Sequence, residues 1–319
     1  MEYRFELALC AALESPDRVV ARQLGAAVAA PGSRVVDVCL LEPGPGFDER
    51  AAVASDTIPP AAVEAPVGPG TAVPVRDAFE TDPGRAAGIV DAAVEAGYLE
   101  RERRDGVDCV RATARYPGDW VGSLTAVENK PDLGRPGDLE AQLRFDVALG
   151  LFDEVVLATA SYVTRAHLNR IPDSVGVWRF DPETGEREVV REATPLDPTE
   201  PGVEIREERG LRTDVALVDA AAKARKRRRI AERAYGKGWR PAPPACARAA
   251  VTADGRPRCE HFDRVVHPGG ECGEGCPAFE ADEGPDADLA ALRDARSAWV
   301  ADPDGVGPRR QAGLGRFGE

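Results

Sequence analysis

Three side chains have the types and the spacing that metal-dependent hydrolysis requires. Glu128 and Lys130 lie two residues apart in one apolar stretch, so on a β-strand both side chains point to the same side. Asp37 lies inside a second apolar run, where an unpaired carboxylate is costly to bury. These carboxylates and the backbone carbonyl of Asn129 form an oxygen-rich set that suits Mg²⁺ or Mn²⁺. Such an ion lowers the pKa of a bound water molecule and stabilises charge on a phosphoryl oxygen.

Lys130 is unusual because lysine is rare in this chain. Only 4 of the 41 basic side chains are lysines, and the other three lie together in one basic segment. Lysine is a compact point charge with a tunable pKa, which arginine is not. An isolated lysine beside a carboxylate is therefore a candidate for orienting water or holding a phosphate oxygen. The alternative is an ordinary surface lysine.

Helices and strands alternate around these residues in an order that predicts an α/β fold. Apolar residues at four-residue spacing predict a first helix over residues 2–13. Periodicity and turn residues predict strands over 19–24, 34–41, 123–128, 154–159, 175–180 and 187–191, and helices over 139–151 and 162–170. Helices between strands indicate a mixed sheet with helices packed on it.

This order resembles the core of the PD-(D/E)xK nuclease superfamily, in its RecB-like and Cas4-like branch. The resemblance covers residues 1–42 and 119–200. It rests on the order of the elements: a helix, a strand, a strand that carries Asp37, a strand that carries Glu128 and Lys130, a helix and a last strand. It implies a restriction-endonuclease-like sheet and hydrolysis of DNA. It also implies that Asp37 and Glu128 bind Mg²⁺ while Lys130 positions the attacking water.

Two further residues are similar to positions of that superfamily. Glu6 lies on the first helix, where several such nucleases have an additional acid. Gln142 begins the segment Q-L-R-F-D and resembles the Gln of a Q-x-x-x-Y motif. The resemblance implies that it supports Lys130 or the metal ligands. The Tyr of that motif is replaced by Asp146 in this sequence. The whole chain also resembles an uncharacterised family of haloarchaeal proteins, a domain of unknown function.

Residues 43–118 separate Asp37 from Glu128 and are predicted to be an insertion. Asp82 and Pro83 are typical of a helix start, and Gly97 ends that helix. A hairpin is predicted around Asp105 and Gly106. A helix followed by a charged hairpin resembles the end of a winged-helix unit, which would read DNA. A small structural insertion is the alternative.

A basic segment follows the predicted sheet. A long helix is predicted over residues 214–234, within a segment 201–242. Residues 223–240 carry nine Lys or Arg and one Glu, a local net charge of +8 in a chain whose total is −14. Such a patch attracts phosphate backbones, although a solvated helix face paired to acids is the alternative. The predicted DNA contacts are Lys223, Arg225, Lys226, Arg227, Arg228 and Arg229.

Four cysteines lie in a loop-rich segment, residues 243–278. Such a segment has little to bury, so a metal could supply its folding energy. Zn²⁺, an iron–sulfur cluster or no metal all remain open, and His261 or His267 could replace one ligand. The candidate ligands are Cys246, Cys259, Cys272 and Cys276, whereas Cys10, Cys39 and Cys109 lie on apolar faces typical of a core.

Composition excludes some classes of protein. The acidic, lysine-poor chain is typical of proteins adapted to high salt, and 43% hydrophobic residues argue against wholesale disorder. A membrane span and a signal peptide are not expected, so we predict a cytoplasmic location. Residues 279–319 are acidic and predicted to be a mobile tail. The rivals to a nuclease are an inactive nuclease-like DNA-binding protein and a metal-stapled interaction protein without nucleic acid.

Overall fold

The computed structural model describes residues 2–305, in which helices and strands alternate. The helices are α1 Glu2–Leu13, α2 Phe47–Ala51, α3 Pro60–Glu64, α4 Val75–Ala78, α5 Pro83–Glu95, α6 Leu139–Leu149, α7 Arg165–Leu168, α8 Ala220–Lys237, α9 Pro268–Glu271 and α10 Leu289–Asp294. The strands of the first 191 residues are β1 Val19–Gly25, β2 Val35–Pro43, β3 Val73–Pro74, β4 Leu99–Arg104, β5 Val107–Ala112, β6 Val121–Asn129, β7 Glu154–Thr159, β8 Gly176–Phe180 and β9 Arg187–Arg191. The later strands are β10 Gly202–Arg209, β11 Arg212–Val218, β12 Ala249–Val251, β13 Pro257–Cys259 and β14 Arg264–Val265.

The centre of the molecule is a six-stranded mixed sheet with the order β1-β2-β6-β7-β8-β9. Strand β2 is antiparallel to both β1 and β6, β7 is parallel to both β6 and β8, and β9 returns antiparallel to β8. Helix α6 provides the crossover between the parallel strands β6 and β7, as parallel pairing requires. The predicted mixed sheet with flanking helices is confirmed.

Helices cover both faces of this sheet. Successive apolar side chains of a strand point to opposite faces, so each face has its own hydrophobic core. On β2, Val38 and Leu40 pack toward α1, whereas Cys39 and Leu41 pack on the opposite side. That opposite side is covered by α6 and α8. The predicted core position of Cys39 is confirmed, since its side chain is fully buried.

The insertion between β2 and β6 has a core of its own. Its elements follow the order α3, β3, α4, α5, then the hairpin β4–β5, with β3 paired to β5. The predicted helix start is confirmed, because the Asp82 side chain accepts a hydrogen bond from the Arg85 amide at 2.9 Å and Pro83 is the first helical residue. Val90, Tyr98 and Val110 lie at the centre of this core.

The helix predicted over residues 214–234 was placed too early. Residues up to Val218 form the second strand of the antiparallel hairpin β10–β11, whose first strand the prediction missed. Helix α8 starts only after Asp219, whose side chain accepts a hydrogen bond from the Ala222 amide at 2.7 Å.

The predicted mobile tail is partly ordered. Helix α10 brings Arg293 against the end of α8, where its guanidinium donates to the carbonyl oxygens of Ala234 and Tyr235. Trp299 is buried and donates to the Ser55 carbonyl at 2.8 Å. Residues 306–319 of that prediction lie outside the described residues. No helix in residues 2–305 combines the length and apolarity that crossing a membrane requires.

A fully buried ion pair joins the insertion to α8. Arg50 donates to both oxygens of Glu232, at 2.6 and 2.7 Å, and both side chains are at most 1% exposed. Glu232 also accepts from the Tyr116 hydroxyl at 2.7 Å and from the Ile58 amide at 3.1 Å. Because every oxygen has a partner, this pair fixes how the start and the end of the insertion meet the helix.

Replacing Glu232 should destabilise the protein strongly. Glu232→Gln leaves the Arg50 charge buried without a counter-ion, which costs about 3–5 kcal/mol. The control Glu64→Gln removes a partly exposed ion pair between Glu64 and Arg229, which also lies on α8. A pair of this kind contributes at most about 1 kcal/mol. Denaturant unfolding of both variants measures the difference, and equal losses of stability would contradict the assigned role of Glu232.

Candidate functional site

A cluster of carboxylates lies at one end of the six-stranded sheet. At this end of the sheet β2 and β6 pair Val38 with Val127, so Asp37 and Glu128 are the next residues on the two neighbouring strands. The half-buried Asp37 accepts hydrogen bonds from the Asn129 amide at 2.9 Å and from the Gln23 side chain at 3.3 Å. The sheet register thus brings together two residues that are 91 positions apart in the chain.

Glu6 reaches the same region from α1. Its buried carboxylate accepts from the side-chain amides of Gln23, at 2.8 Å, and Asn129, at 3.1 Å, and pairs with Arg22. Gln23 therefore links Glu6 to Asp37. Its backbone has a φ of 55°, a conformation that non-glycine residues rarely adopt. Strain of this kind persists where surrounding contacts hold a side chain in a required position.

Arg34 occupies the other side of Glu128. Its guanidinium donates to Glu128 at 2.6 Å and, through two nitrogens, to both oxygens of Asp146 at 3.0 and 2.5 Å. All three side chains are buried. The loop before β2 supplies Arg34 and α6 supplies Asp146, so the ion pairs connect three separate elements at the end of the sheet.

Asp37 influences the protonation of every other acid in the cluster. Burial and then the Asp37 charge raise the pKa of Glu128 to about 8, although Arg34 opposes both effects. Burial and Asp37 likewise raise the pKa of Glu6 against the effect of Arg22, and that of Asp146 against the effect of Arg34. Several neighbouring acids with raised pKa values are found at catalytic and binding sites, and also in buried ion-pair networks.

Lys130 and Gln142 do not contact Glu128. Lys130 follows the end of β6, and its ammonium donates to Glu2 of α1 at 2.7 Å, one helical turn from Glu6. Gln142 lies on α6 one turn before Asp146, and within residues 2–305 its side chain forms no hydrogen bond. The acid that α6 contributes to the cluster is therefore Asp146, the residue found where the resemblance implies a tyrosine.

The donor set agrees in chemistry with a hard divalent cation. Two carboxylates, Asp37 and Glu128, lie on adjacent strands, and the side-chain carbonyl oxygen of Asn129 is buried without a hydrogen-bond partner. Mg²⁺ is held in proteins by one or two carboxylates, and its remaining ligands are water and other oxygens. In the part of the chain that the structure describes, no three His, Cys, Asp or Glu side chains are arranged to hold an ion. The Asn129 side chain points toward α1, where its nitrogen donates to Glu6, so a cation here would be held by the two acids and by the backbone carbonyl oxygen of Asn129.

The basic helix α8 uses several of its charges internally. Lys223, predicted to contact DNA, is buried and donates to the carbonyl oxygens of Asp197 and Glu200, which corrects that assignment. Arg227 donates to the Leu151 carbonyl at 2.7 Å and pairs with Asp153. These side chains lie on the face of α8 that packs on the sheet, where burial and backbone carbonyls determine their role.

Another stripe of α8 lines an open groove. Thr57 and Pro60 of the insertion and Leu24 and Gly25 of β1 form its walls, and four basic side chains at helical spacing form the α8 side: Lys226, Arg229, Arg233 and Lys237. Arg229 is paired with Glu64. Of the other predicted DNA contacts, Arg225 is exposed and Arg228 half-buried, and neither lines this groove.

The groove adjoins the carboxylate cluster. Lys237 donates to the carbonyl oxygens of Arg22 and Gln23, at 2.8 and 3.0 Å, and Gln23 in turn contacts Glu6 and Asp37.

The four C-terminal cysteines converge. Cys246, Cys259, Cys272 and Cys276 all line one small pocket. Burial and then the charges of the other three raise the pKa of Cys272. The Arg248 amide donates to the Cys246 sulfur at 3.5 Å.

Sequence reasoning missed Arg34, Gln23 and the role of Asp146. Asp146 had a signal, because it lies three residues after the buried Leu143 and so falls on the apolar face of α6. Arg34 stands at the start of an apolar strand, where arginine is common, and only the tertiary contact identifies it.

The fold and the site define a mixed α/β protein with a carboxylate cluster at the end of its main sheet. The chain belongs to a family of unknown function, DUF5787, whose model matches residues 19–281. That range includes Asp37, Glu128 and the four clustered cysteines, whereas Glu6 precedes it. No curated protein and no solved structure matches the chain.

Thermal stability without divalent cations should fall as pH rises. The folded-state pKa of Glu128, about 8, exceeds its ordinary value of 4.5, so its contribution is complete below pH 4.5 and is lost as pH rises through 8. Scanning calorimetry with EDTA at constant KCl should show a decrease of roughly a few degrees over this range. Glu128→Gln should reduce the decrease of Tm with pH, whereas Glu140→Gln, on the exposed side of α6, should leave that decrease unchanged. Equal slopes in all three proteins would contradict the raised pKa.

Proposed function

We propose that this protein is a metal-dependent nuclease that hydrolyses DNA phosphodiester bonds. The observation that carries the proposal is the placement of Asp37 on β2 opposite Glu128 on β6, with Gln23 linking Asp37 to Glu6 of α1. In that arrangement one helix and three antiparallel strands are followed by a crossover helix and a parallel strand. This order supports the PD-(D/E)xK resemblance on which the roles of these residues rest.

The proposed cofactor is Mg²⁺ or Mn²⁺. Asp37 and Glu128 would hold it together with the backbone carbonyl oxygen of Asn129, and the placement of the two acids opposite each other on adjacent strands supports this choice. When bound, such an ion supplies an activated water molecule and stabilises charge on a phosphoryl oxygen.

The side chains around this set have separate roles. Gln23 holds Glu6 and Asp37 in register. Arg34 offsets part of the negative charge of Glu128 and Asp146, which weakens the electrostatic repulsion between the cluster and a phosphodiester. Lys130, half-buried near the first turn of α1, would leave Glu2 to orient the attacking water or hold a phosphate oxygen.

The groove along α8 is the proposed path of the DNA backbone. Arg233 is exposed and forms no ion pair among the described residues, and Lys237 lies at the end of the groove nearest the carboxylates. A cationic groove that ends beside a hydrolytic site positions phosphates without reading sequence.

Catalysis should depend on the acids and on Lys130. Asp37→Asn and Glu128→Gln should each reduce Mg²⁺- or Mn²⁺-dependent cleavage by about 100-fold or more, and Lys130→Ala by a similar factor, since each removes a transition-state contact. Cleavage of duplex, branched and single-stranded DNA at high KCl measures this. The control Asp108→Asn removes one negative charge from an exposed strand of the insertion and should leave activity unchanged. Full activity of Lys130→Ala would exclude its proposed role.

A DNA-binding protein without nuclease activity is the second candidate. The salt bridges of Glu128 and Asp146 to Arg34 favour it, since an internal cation already neutralises part of the cluster. The insertion also follows the element order of a winged-helix unit, although the arginines of its hairpin are paired with acids such as Glu100 and Glu102. Wild-type protein that binds DNA but cleaves no form with either metal would favour this candidate.

DNA affinity should depend on the groove face of α8. Arg233→Ala should weaken binding several-fold and lower the salt dependence by about one phosphate contact. The matched control Arg225→Ala removes an exposed arginine from the same helix outside the groove and should have a smaller effect. Titrations of labelled DNA at several KCl concentrations compare the two, and an equal or larger effect of Arg225→Ala would exclude the groove as the path.

A further inference from the structure

We propose that Cys246, Cys259, Cys272 and Cys276 bind a single Zn²⁺ ion that holds residues 243–281 in their folded form. This site would be structural, and it is independent of the proposed nuclease activity.

The four thiols come from separate pieces of backbone and meet at one pocket. Cys246 precedes β12, Cys259 ends β13, and Cys272 and Cys276 lie on either side of the turn after α9. Sequence separations of 13, 13 and 4 residues do not place them together by local structure. Their convergence is a property of the tertiary fold.

The space between them suits one ion. The cavity measures about 30 Å³, which is room for one or two water molecules. Neither His261 nor His267 lines the pocket, and the one acid that does, Glu271, already accepts hydrogen bonds from Arg4, Arg264 and the His267 amide. The four thiols are therefore the available ligand set, and four thiolates are a common zinc environment.

This segment lacks the buried surface that would otherwise stabilise it. Its strands are two or three residues long, and only Cys246, Gly255, Pro257 and Val266 are buried among residues 243–281. Small units of this kind depend on metals or covalent links for folding energy. The cysteines are free thiols. Cysteines that form no disulfide can still link separate segments by binding one metal ion together.

Three arginines lie around the site, and each also pairs with an acid, Glu280, Asp263 or Glu271, so they offset its charge only in part. A zinc ion with four thiolates carries a net charge of −2, and the side chains of Arg248, Arg258 and Arg264 line the same pocket. The Arg248 amide already donates to the Cys246 sulfur. Since no three metal-binding side chains of residues 2–305 stand ready to hold an ion, zinc would draw the thiols closer together.

The test measures metal content in the full-length protein. Elemental analysis of protein purified without chelator should find about one zinc per chain and neither iron nor acid-labile sulfide. Cys272→Ser and Cys276→Ser should reduce zinc to less than about a tenth, while the control Cys109→Ser, in the core of the insertion, should retain it. Iron with sulfide, or zinc retained in both ligand variants, would overturn the proposal.

A second measurement covers variants that fail to fold. Releasing zinc from the wild-type protein with a mercurial reagent should make residues 243–281 at least about tenfold more sensitive to limited proteolysis, while the six-stranded sheet resists. Zinc added after thiol treatment should restore protection. Unchanged proteolysis, or a wild-type protein without zinc, would contradict the structural role. Neither readout depends on DNA cleavage, so the nuclease proposal can fail while this one stands.

Discussion

The Arg34 guanidinium and the two carboxylates it holds set the architecture at the end of the main sheet. Buried carboxylates are stable only when hydrogen-bonded and paired with a cation. By binding Glu128 and Asp146 together, Arg34 joins the loop before β2, the end of β6 and the inner face of α6. Asp37 lies between these acids and Glu6, held by the Asn129 amide and the Gln23 side chain. Arg34 thus neutralises part of the charge of two of the acids, and Arg22 pairs with a third, Glu6.

The same constraint recurs wherever peripheral segments meet the core. Arg50 and Glu232 connect the insertion to α8, and Glu14 at the end of α1 pairs with Arg240 and Arg296 of the C-terminal segments. The planar guanidinium binds a carboxylate through two parallel hydrogen bonds, which an ammonium does not. The preference of the chain for arginine thus serves its interior as well as its surface.

Local sequence patterns predicted much of the fold and part of the site. Periodicity and caps identified α1, α5, all six strands of the main sheet and the Asp82 helix start. They failed at β10 and β11, because these strands form a largely exposed hairpin whose mixture of polar and apolar residues lacks the pattern of a buried strand. They also failed for Lys223, because charge composition does not reveal which face of a helix meets backbone carbonyls.

The sequence by itself determined the alternation of helices and strands, the rare lysine beside Glu128, the basic segment and the presence of four cysteines in one loop-rich segment. Those features follow from side-chain type and local spacing. Only the tertiary structure decided which residues meet: Asp37 with Asn129, Arg34 with Asp146, and Lys237 with the backbone beside the carboxylates. Such contacts join residues up to 215 positions apart. They depend on strand register and on the pairing of buried charge, which no local pattern encodes.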